Sequence, residues 1–237
     1  MDALIRRIEA IKVDFDELQE DVALAEQLDA EAPYVEREAV TDAEDAAGFA
    51  PYEEVTLVRP SHLVGELHEA PQGALTELVV QAVQVEGPVH RDHIVTRMRE
   101  AWGLKRTGGR IEDVVGRSID IATKTGRITR SGEFLSTPNS VPVPRDRSGV
   151  NAIALRRADM LPPAEIEAAA LQLIERSFGA TRDQVIQAVS RGFGIRNTSN
   201  QVRSVLEQAV DALISRQQLK EVAGVLTTTD ESRRSIQ

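Results

Sequence analysis

An internal repeat constrains this chain more than any other feature of its sequence. When the 237 residues are aligned with themselves at an offset of 91, no gap is needed and apolar positions fall on apolar positions. The identical pairs include Arg91 with Arg182, Asp92 with Asp183, Gly103 with Gly194 and Leu135 with Leu226. Such a repeat predicts two copies of one folding unit rather than a single large core. We call residues 73–137 module one and residues 161–228 module two.

The pattern within each module predicts three helices followed by a β-hairpin. In module one the second helix is predicted over about 91–102 and ends at Gly103, while Thr107 is the predicted N-cap of the third helix. Residues 126–135 alternate around a Ser-Gly turn, which is typical of a hairpin. The corresponding segments of module two are 164–178, 182–192, 199–216 and 219–226. This order predicts a mainly α protein with small β-hairpins, built from tandem winged helix-turn-helix repeats.

Four further segments lie outside the modules. Residues 1–30 are predicted to form an amphipathic helix, because the apolar residues between positions 4 and 22 follow a heptad-like spacing. This stripe is compatible with a homodimer or with docking on another surface. Residues 31–72 are predicted to be an acidic linker, residues 138–160 a Pro/Arg connector and residues 229–237 a C-terminal tail.

The charge is unevenly divided along the chain. Residues 1–72 contain 19 acidic and 5 basic side chains, whereas the remaining residues contain 19 acidic and 23 basic ones. The net charge of −10 therefore arises in the N-terminal third. An acidic arm beside a basic module suggests an internal competitor for a nucleic-acid surface, and a solubilising linker is the alternative interpretation.

The predicted nucleic-acid contacts are basic residues in and beyond module one. Three of them surround the start of the third helix, where free N–H groups and the helix dipole favour an anion. Two lie in the connector, where they would either follow a phosphate backbone or pin the connector to neighbouring carboxylates. The full set is Lys105, Arg106, Arg110, Arg117, Lys124, Arg127, Arg130, Arg145 and Arg147.

Module two carries different chemistry at the start of its third helix. Residues 196–201 are polar rather than basic, so its expected partner is a protein or module one. The amides of Asn197, Asn200 and Gln201 are able to contact base edges, but capping and turn roles are favoured for two of the three.

The sequence offers no pattern for catalysis or for a cofactor. The one cluster of two histidines and a carboxylate, at positions 90–93, lacks three spaced ligands on one face, so no metal site is expected. A phosphate-binding glycine loop and a nucleophile–base pair are not found in the sequence. With no cysteine and no apolar run long enough for a membrane span, the expectation is a cytoplasmic protein that is not an enzyme.

Several short motifs, in order, resemble a bacterial domain of unknown function. That domain closes large fusion proteins in which a superfamily I helicase and a very-short-patch-repair-like endonuclease precede it. The similarity spans roughly Pro51 to Leu226, and the family pattern shares Trp102, Gly103, Arg106 and Arg110. The motifs are Glu86-Gly87-Pro88-Val89-His90, the segment 101–111, Gly132-Glu133-Phe134-Leu135, Arg145-Asp146-Arg147-Ser148 and the segment 161–166.

The resemblance implies a role beside DNA unwinding or cleavage, in a setting such as restriction or phage defence, and it carries over no catalytic residue. This chain lacks the helicase and nuclease parts, so a stand-alone relative, a split subunit and a gene remnant all fit. The expected function is DNA binding by module one in support of a helicase or nuclease. The alternatives are a protein-interaction adaptor that uses both modules and, third, a transcriptional regulator with a dimerising N-terminal helix.

Overall fold

The computed structural model describes residues 48–229. The predicted N-terminal helix with its dimerising stripe, the first part of the acidic linker and all but the first residue of the predicted tail lie outside these residues. The described residues belong to one compact unit. They form six α-helices: α1 (Gln72–Glu86), α2 (Arg91–Ala101), α3 (Gly109–Lys124), α4 (Pro163–Arg176), α5 (Arg182–Gly192) and α6 (Asn200–Ser215).

Eight short strands form three small sheets within the described residues. The strands are β1 (Ala50–Pro51), β2 (Val89–His90), β3 (Thr129–Ser131), β4 (Phe134–Ser136), β5 (Arg145–Asp146), β6 (Ala180–Thr181), β7 (Leu219–Val222) and β8 (Val225–Thr228). In module one the order is β2-β4-β3, and in module two it is β6-β8-β7, with all neighbours antiparallel. The prediction of a mainly helical protein with small hairpins is confirmed.

The two modules have the same element order, and their bounds follow the sequence offset. Helices α2 and α3 coincide with α5 and α6 when 91 is added to each residue number. Each third helix lies against the two before it, and one strand between the first and second helices pairs with the hairpin. Repeated apolar positions therefore fill two equivalent cores, which are separate clusters.

The sequence predicted the end of α2 correctly and the N-cap of α3 incorrectly. Gly103 ends the turn after α2 with a φ of 65°, and Gly194 does so after α5 with a φ of 73°. Both values lie in the left-handed region that glycine adopts without steric cost. The predicted N-cap of α3 was wrong by one residue, because Gly108 occupies that position and no side chain caps it in the described chain. In module two the hydroxyl of Ser199 caps α6.

Part of the predicted acidic linker packs into the fold. Val55, Leu57 and Leu67 are buried in the core of module one. The ring of Phe49 lies on the core of module two, 5.6 Å from the ring of Phe193. Strand β1 pairs in parallel with β5 of the connector. Residues 49–57 precede module one in the chain and contact both modules. We call them the strap.

Candidate nucleic-acid interface

The start of α3 presents three cations without partners. Lys105, Arg106 and Arg110 are exposed and make no hydrogen bond or ion pair within residues 48–229. They surround an N-terminus whose cap, Gly108, supplies no side chain, so the N–H groups of Gly109 and Arg110 have no side-chain acceptor in the described residues. Fixed positive charge beside free N–H groups is the chemistry that holds a phosphate.

The rest of the exposed face of α3 is mixed in charge. Arg117 and Lys124 are exposed, but Asp113 and Asp120 are exposed on the same helix, and Glu112 lies in its first turn. These carboxylates offset the two cations, since opposite charges on one helix reduce the local potential. The positive character of this surface is therefore concentrated at the N-terminal end of α3.

Arg127 and Arg130, beside and within the hairpin, are already paired. Arg127 forms a bidentate pair with Glu77 of α1, in which the Nη2–Oε2 distance is 2.8 Å. Arg130 donates to the Glu133 carboxylate at 3.0 Å and to the carbonyl of Gly132. Both guanidiniums are exposed, but a phosphate would have to compete with these carboxylates.

The two connector arginines do not lie on an open surface. Arg147 is only 1% exposed and donates to Glu165 Oε2 at 2.7 Å, and Arg145 forms a bidentate contact with Glu165 Oε1. Arg145 also donates to the carbonyls of Glu86 and Pro88 in module one, at 3.1 and 3.0 Å. Of the two interpretations of these arginines, this placement favours pinning of the connector. Neither arginine therefore forms part of the exposed basic surface of module one.

A second buried carboxylate, Glu86 at the end of α1, collects donors from several segments. It accepts hydrogen bonds from the Tyr52 hydroxyl at 2.9 Å, from the Val55 N–H at 2.9 Å and from Arg97 Nε at 2.6 Å. His93 Nε2 lies 3.0 Å from Glu86 Oε2. Because Glu86 is fully buried, these donors replace the water that its charge would otherwise need.

Cation–π contacts and hydrogen bonds connect the groups around Glu165 with those around Glu86. The Arg145 and Arg147 guanidiniums lie 4.5 and 5.0 Å from the centre of the Tyr52 ring, whose hydroxyl contacts Glu86. Arg97 also donates to Glu54, which accepts the N–H of Asn151 in the connector at 2.6 Å. The strap, the connector and both modules thus meet in one network. We call it the joint, and its members are Tyr52, Glu54, Glu86, His93, Arg97, Arg145, Arg147 and Glu165.

The joint changes the ionisation of its own members. Burial would raise the pKa of the Glu86 carboxyl, but His93 and Arg97 outweigh it and hold that pKa below its usual value. Glu54 behaves in the same way, with burial opposed by Arg97 and by the Asn151 N–H. Burial and the nearby Glu86 charge raise the pKa of the Tyr52 phenol, so Tyr52 stays protonated and donates.

One feature of the sequence points to two members of the joint. Glu86 and Arg97 occupy positions on the apolar faces of α1 and α2, three residues after the buried Val83 and Ile94. A charged side chain within an apolar stripe needs a partner of opposite charge. That rule identifies both residues as network members, but it does not identify the partners, which lie far away in sequence.

Most arginines of module two form ion pairs with carboxylates, unlike the three cations at the start of α3 in module one. Arg182 pairs with Asp211 and Glu221, Arg203 with Asp183 and Glu207, and Arg216 with Glu167. Three side-chain amides are exposed at the start of α6, those of Asn197, Asn200 and Gln201. These amides form no hydrogen bond in the described part of the chain. The predicted capping role of these amides is not observed, because Ser199 accepts the N–H of Val202.

The histidine cluster has structural roles. His90 Nδ1 accepts the N–H of Asp92 and caps α2, and His93 faces Glu86. Across residues 48–229, no group of three or more His, Cys, Asp or Glu side chains is placed to hold a metal ion. In the same residues, no helix combines the length and apolar character needed to cross a membrane.

Comparison with known proteins identifies one family match. Residues 65–113 match the model of a protein of unknown function, DUF3320, from the turn before α1 to the start of α3. Neither a curated protein nor a solved structure matches the chain. The matched segment includes Glu86, Arg97, Lys105, Arg106 and Arg110. The expectation of a domain of unknown function is confirmed for this segment.

Proposed function

We propose that this chain is a non-catalytic DNA-binding accessory protein in which two winged-helix modules act beside a helicase or nuclease. The observation that carries the proposal is the cluster of unpartnered cations, Lys105, Arg106 and Arg110, at the uncapped start of α3. In helix-turn-helix proteins this end of the third helix approaches the DNA. The helicase or nuclease partner rests on the resemblance of the sequence motifs alone.

The element order supports the winged-helix part of the proposal. In each module three helices are followed by a hairpin, and the strand between the first two helices pairs with that hairpin. The third helix has one buried face and one exposed face, as a helix that enters a DNA groove requires. The joint links the two modules through Arg145, which contacts Glu165 of module two and the Glu86 and Pro88 carbonyls of module one.

The test is fluorescence anisotropy of the full chain with labelled duplex DNA over a series of salt concentrations. Changing Lys105, Arg106 and Arg110 together to alanine should weaken binding strongly and lower the salt slope by about one unit per lost phosphate contact. The control changes Arg182, Arg203 and Arg216 to alanine, which removes the same charge from paired positions. Failure of the full chain to bind at low salt, or an equal loss in both variants, would contradict the proposal.

A second candidate, the protein-interaction adaptor, is favoured by an exposed apolar group in module two. Phe178 is 90% exposed after α4, and Val222 and Val225 form an exposed cross-strand pair in the hairpin. A side chain added at Gly179, the residue after Phe178, would lie 3.1 Å from Val225 Cγ1. A contiguous exposed apolar patch, unlike a single exposed apolar side chain, marks a site of protein interaction. This surface does not overlap the cations of module one.

A further inference from the structure

An open groove lies between the first two helices of module two. It has a volume of about 340 Å³, and its walls come from α4, from α5 and from the turn that joins them. Its apolar surface comes from Leu173, Ala180, Val185 and Ala188, and Arg191 is the one charged side chain among the described residues that line it. Concave apolar surfaces with a few polar groups are where the side chains of a ligand anchor.

The equivalent surface of module one is covered by the strap. The strap donates the Val55 N–H to Glu86 at 2.9 Å, and one of its carboxylates accepts a hydrogen bond from Arg97 at 2.8 Å. Adding 91 to the numbers of Glu86 and Arg97 gives Ser177 and Ala188, and both of these line the groove of module two. The internal repeat therefore shows what fits between these two helices, namely a non-helical segment of chain.

Smaller side chains keep the groove of module two open. Arg97 is only 8% exposed between the helices and the strap, whereas its equivalent, Ala188, ends at Cβ. Glu86, the buried acceptor of module one, is replaced by the shorter Ser177. The strap cannot cover both surfaces, because its Leu57 is buried in the core of module one. The groove of module two therefore fits a second segment of the same kind.

The rim of the groove presents further apolar side chains. Phe178 is 90% exposed and stands where module one has Gly87. Its φ of 56° is a left-handed conformation that bulky side chains disfavour, and so exposed a ring gains little packing in return. Gly179 lines the groove, and the Val225 side chain that approaches it pairs across the hairpin with the exposed Val222. These side chains extend the apolar surface beyond the groove.

We propose that the groove between α4 and α5 binds a non-helical segment of a partner protein, with aliphatic side chains on its apolar surface and an acidic side chain at Arg191. The acidic side chain follows from charge, because Arg191 brings a positive charge to the position at which module one has Glu100. The strap carries the same pattern, since Glu54 is followed by Val55 and Leu57. The inference goes beyond the proposed function, because it assigns a binding mode to module two that does not depend on DNA.

The experiment selects peptides from a display library of random octapeptides, using the full chain. Dissociation constants of labelled enriched peptides are then measured by fluorescence anisotropy. We expect the enriched peptides to combine an acidic residue with aliphatic residues. Ala188→Glu places a second carboxylate on the apolar surface and should weaken their binding roughly tenfold or more. Arg191→Glu should weaken it as well, because the charge that meets the acidic residue is reversed.

Two control variants carry the same changes outside the groove. Ala212→Glu alters a half-buried alanine of α6, and Arg196→Glu reverses an exposed charge in the turn before α6. Both should bind the enriched peptides as the unaltered chain does. Thermal unfolding checks that all four variants are folded.

Three outcomes would overturn this inference. They are enrichment of no peptide or of basic ones, equal binding in a groove variant and its control, and a dimer of the full chain that Ala188→Glu dissociates, which would assign the groove to a second copy. Duplex DNA titrated in parallel should bind Ala188→Glu as it binds the unaltered chain. Absence of DNA binding at low salt would overturn the proposed function and leave this inference standing.

Discussion

Module one and module two have the same framework but different chemistry at the start of the third helix. Their second and third helices begin and end at equivalent residues, yet Arg106 and Arg110 of module one correspond to Asn197 and Gln201 of module two. In module one the cations are free and no side chain caps α3, whereas in module two most arginines are paired and Ser199 caps α6. Buried positions fix the fold, so exposed positions of the same fold can carry different binding chemistry.

The modules also differ in how they contact the rest of the chain. Gly192 and Gly194 of module two lie directly against the ring of Phe49 and the backbone of Ser148. Their equivalents in module one are Ala101 and Gly103, and a side chain at Gly103 would meet nothing within 4 Å. Module two is therefore the one whose helix end is covered by the strap and the connector.

The largest expected effect comes from Glu165, because its loss should destabilise both modules together. Changing Glu165 to alanine leaves the buried Arg147, and Arg145 beside it, without their carboxylate. Removal of one partner of a buried ion pair lowers the free energy of unfolding by about 3–5 kcal/mol. Urea unfolding followed by circular dichroism would measure the loss. Glu207→Ala, which removes a carboxylate from an exposed pair of module two, is the control and should change stability little.

The number of unfolding transitions in urea shows whether the two modules unfold together or separately. Arg145 joins Glu165 of module two to the Glu86 and Pro88 carbonyls of module one. A single unfolding transition at lower urea is therefore expected. Two separate transitions in the unaltered chain, with only one of them moved by Glu165→Ala, would show that the joint does not couple the modules.

A smaller effect on stability is expected from alanine at two equivalent glycines, Gly103 of module one and Gly194 of module two. Alanine at Gly103 or Gly194 must adopt a left-handed conformation, which costs about 1–2 kcal/mol at either position. At Gly194 the added carbon would also lie 2.6 Å from the Ser148 Cα, and such overpacking typically costs about 1–3 kcal/mol more. We expect Gly194→Ala to lower the melting temperature clearly more than Gly103→Ala. Equal shifts would refute the asymmetry between the two helix ends.

The smallest measured change is expected in the pH dependence of stability in acid, and it concerns Glu86. The pKa of Glu86 is lower in the folded chain than its ordinary value of about 4.5, which applies to the unfolded chain. The ionised Glu86 carboxylate therefore stabilises the fold at pH values above about 4.5. This contribution is lost as the pH falls from there through the folded pKa. Glu86→Gln should therefore be less stable at pH 7 and show a flatter dependence on pH below about 4.5. The exposed Glu112→Gln serves as the control, and an unchanged acid slope in Glu86→Gln would contradict this prediction.

Local and repeated features of the fold were predictable from the sequence. The apolar spacing and the offset of 91 predicted α2 and α5 to within one residue, and the position of Gly103 predicted the turn after α2. These features depend on residues that are neighbours in the chain, so their signals are local. The N-cap of α3 was misassigned because Thr107 and Gly108 are both acceptable caps by residue type.

The joint was not predictable in the same way. Arg147 lies in a polar connector and Glu165 in the first turn of α4, where acidic side chains are common, and ordinary sequence patterns assign both to the surface. Their burial follows from contacts between the strap, the connector and both modules, which lie far apart in the chain. The free amides of α6 were visible in the sequence, but only the position of Ser199 shows that they are not used as caps.

The strap has a consequence for how the protein is made. Phe49 leaves the ribosome long before Gly192 and Phe193, the residues on which its ring finally packs. Val55 and Leu57 can settle on module one as soon as that module has been synthesised, whereas the first residues of the strap must wait for α5. The nascent chain therefore carries the Phe49 ring without its module-two partner until α5 has been synthesised, and the later module completes the packing of the strap.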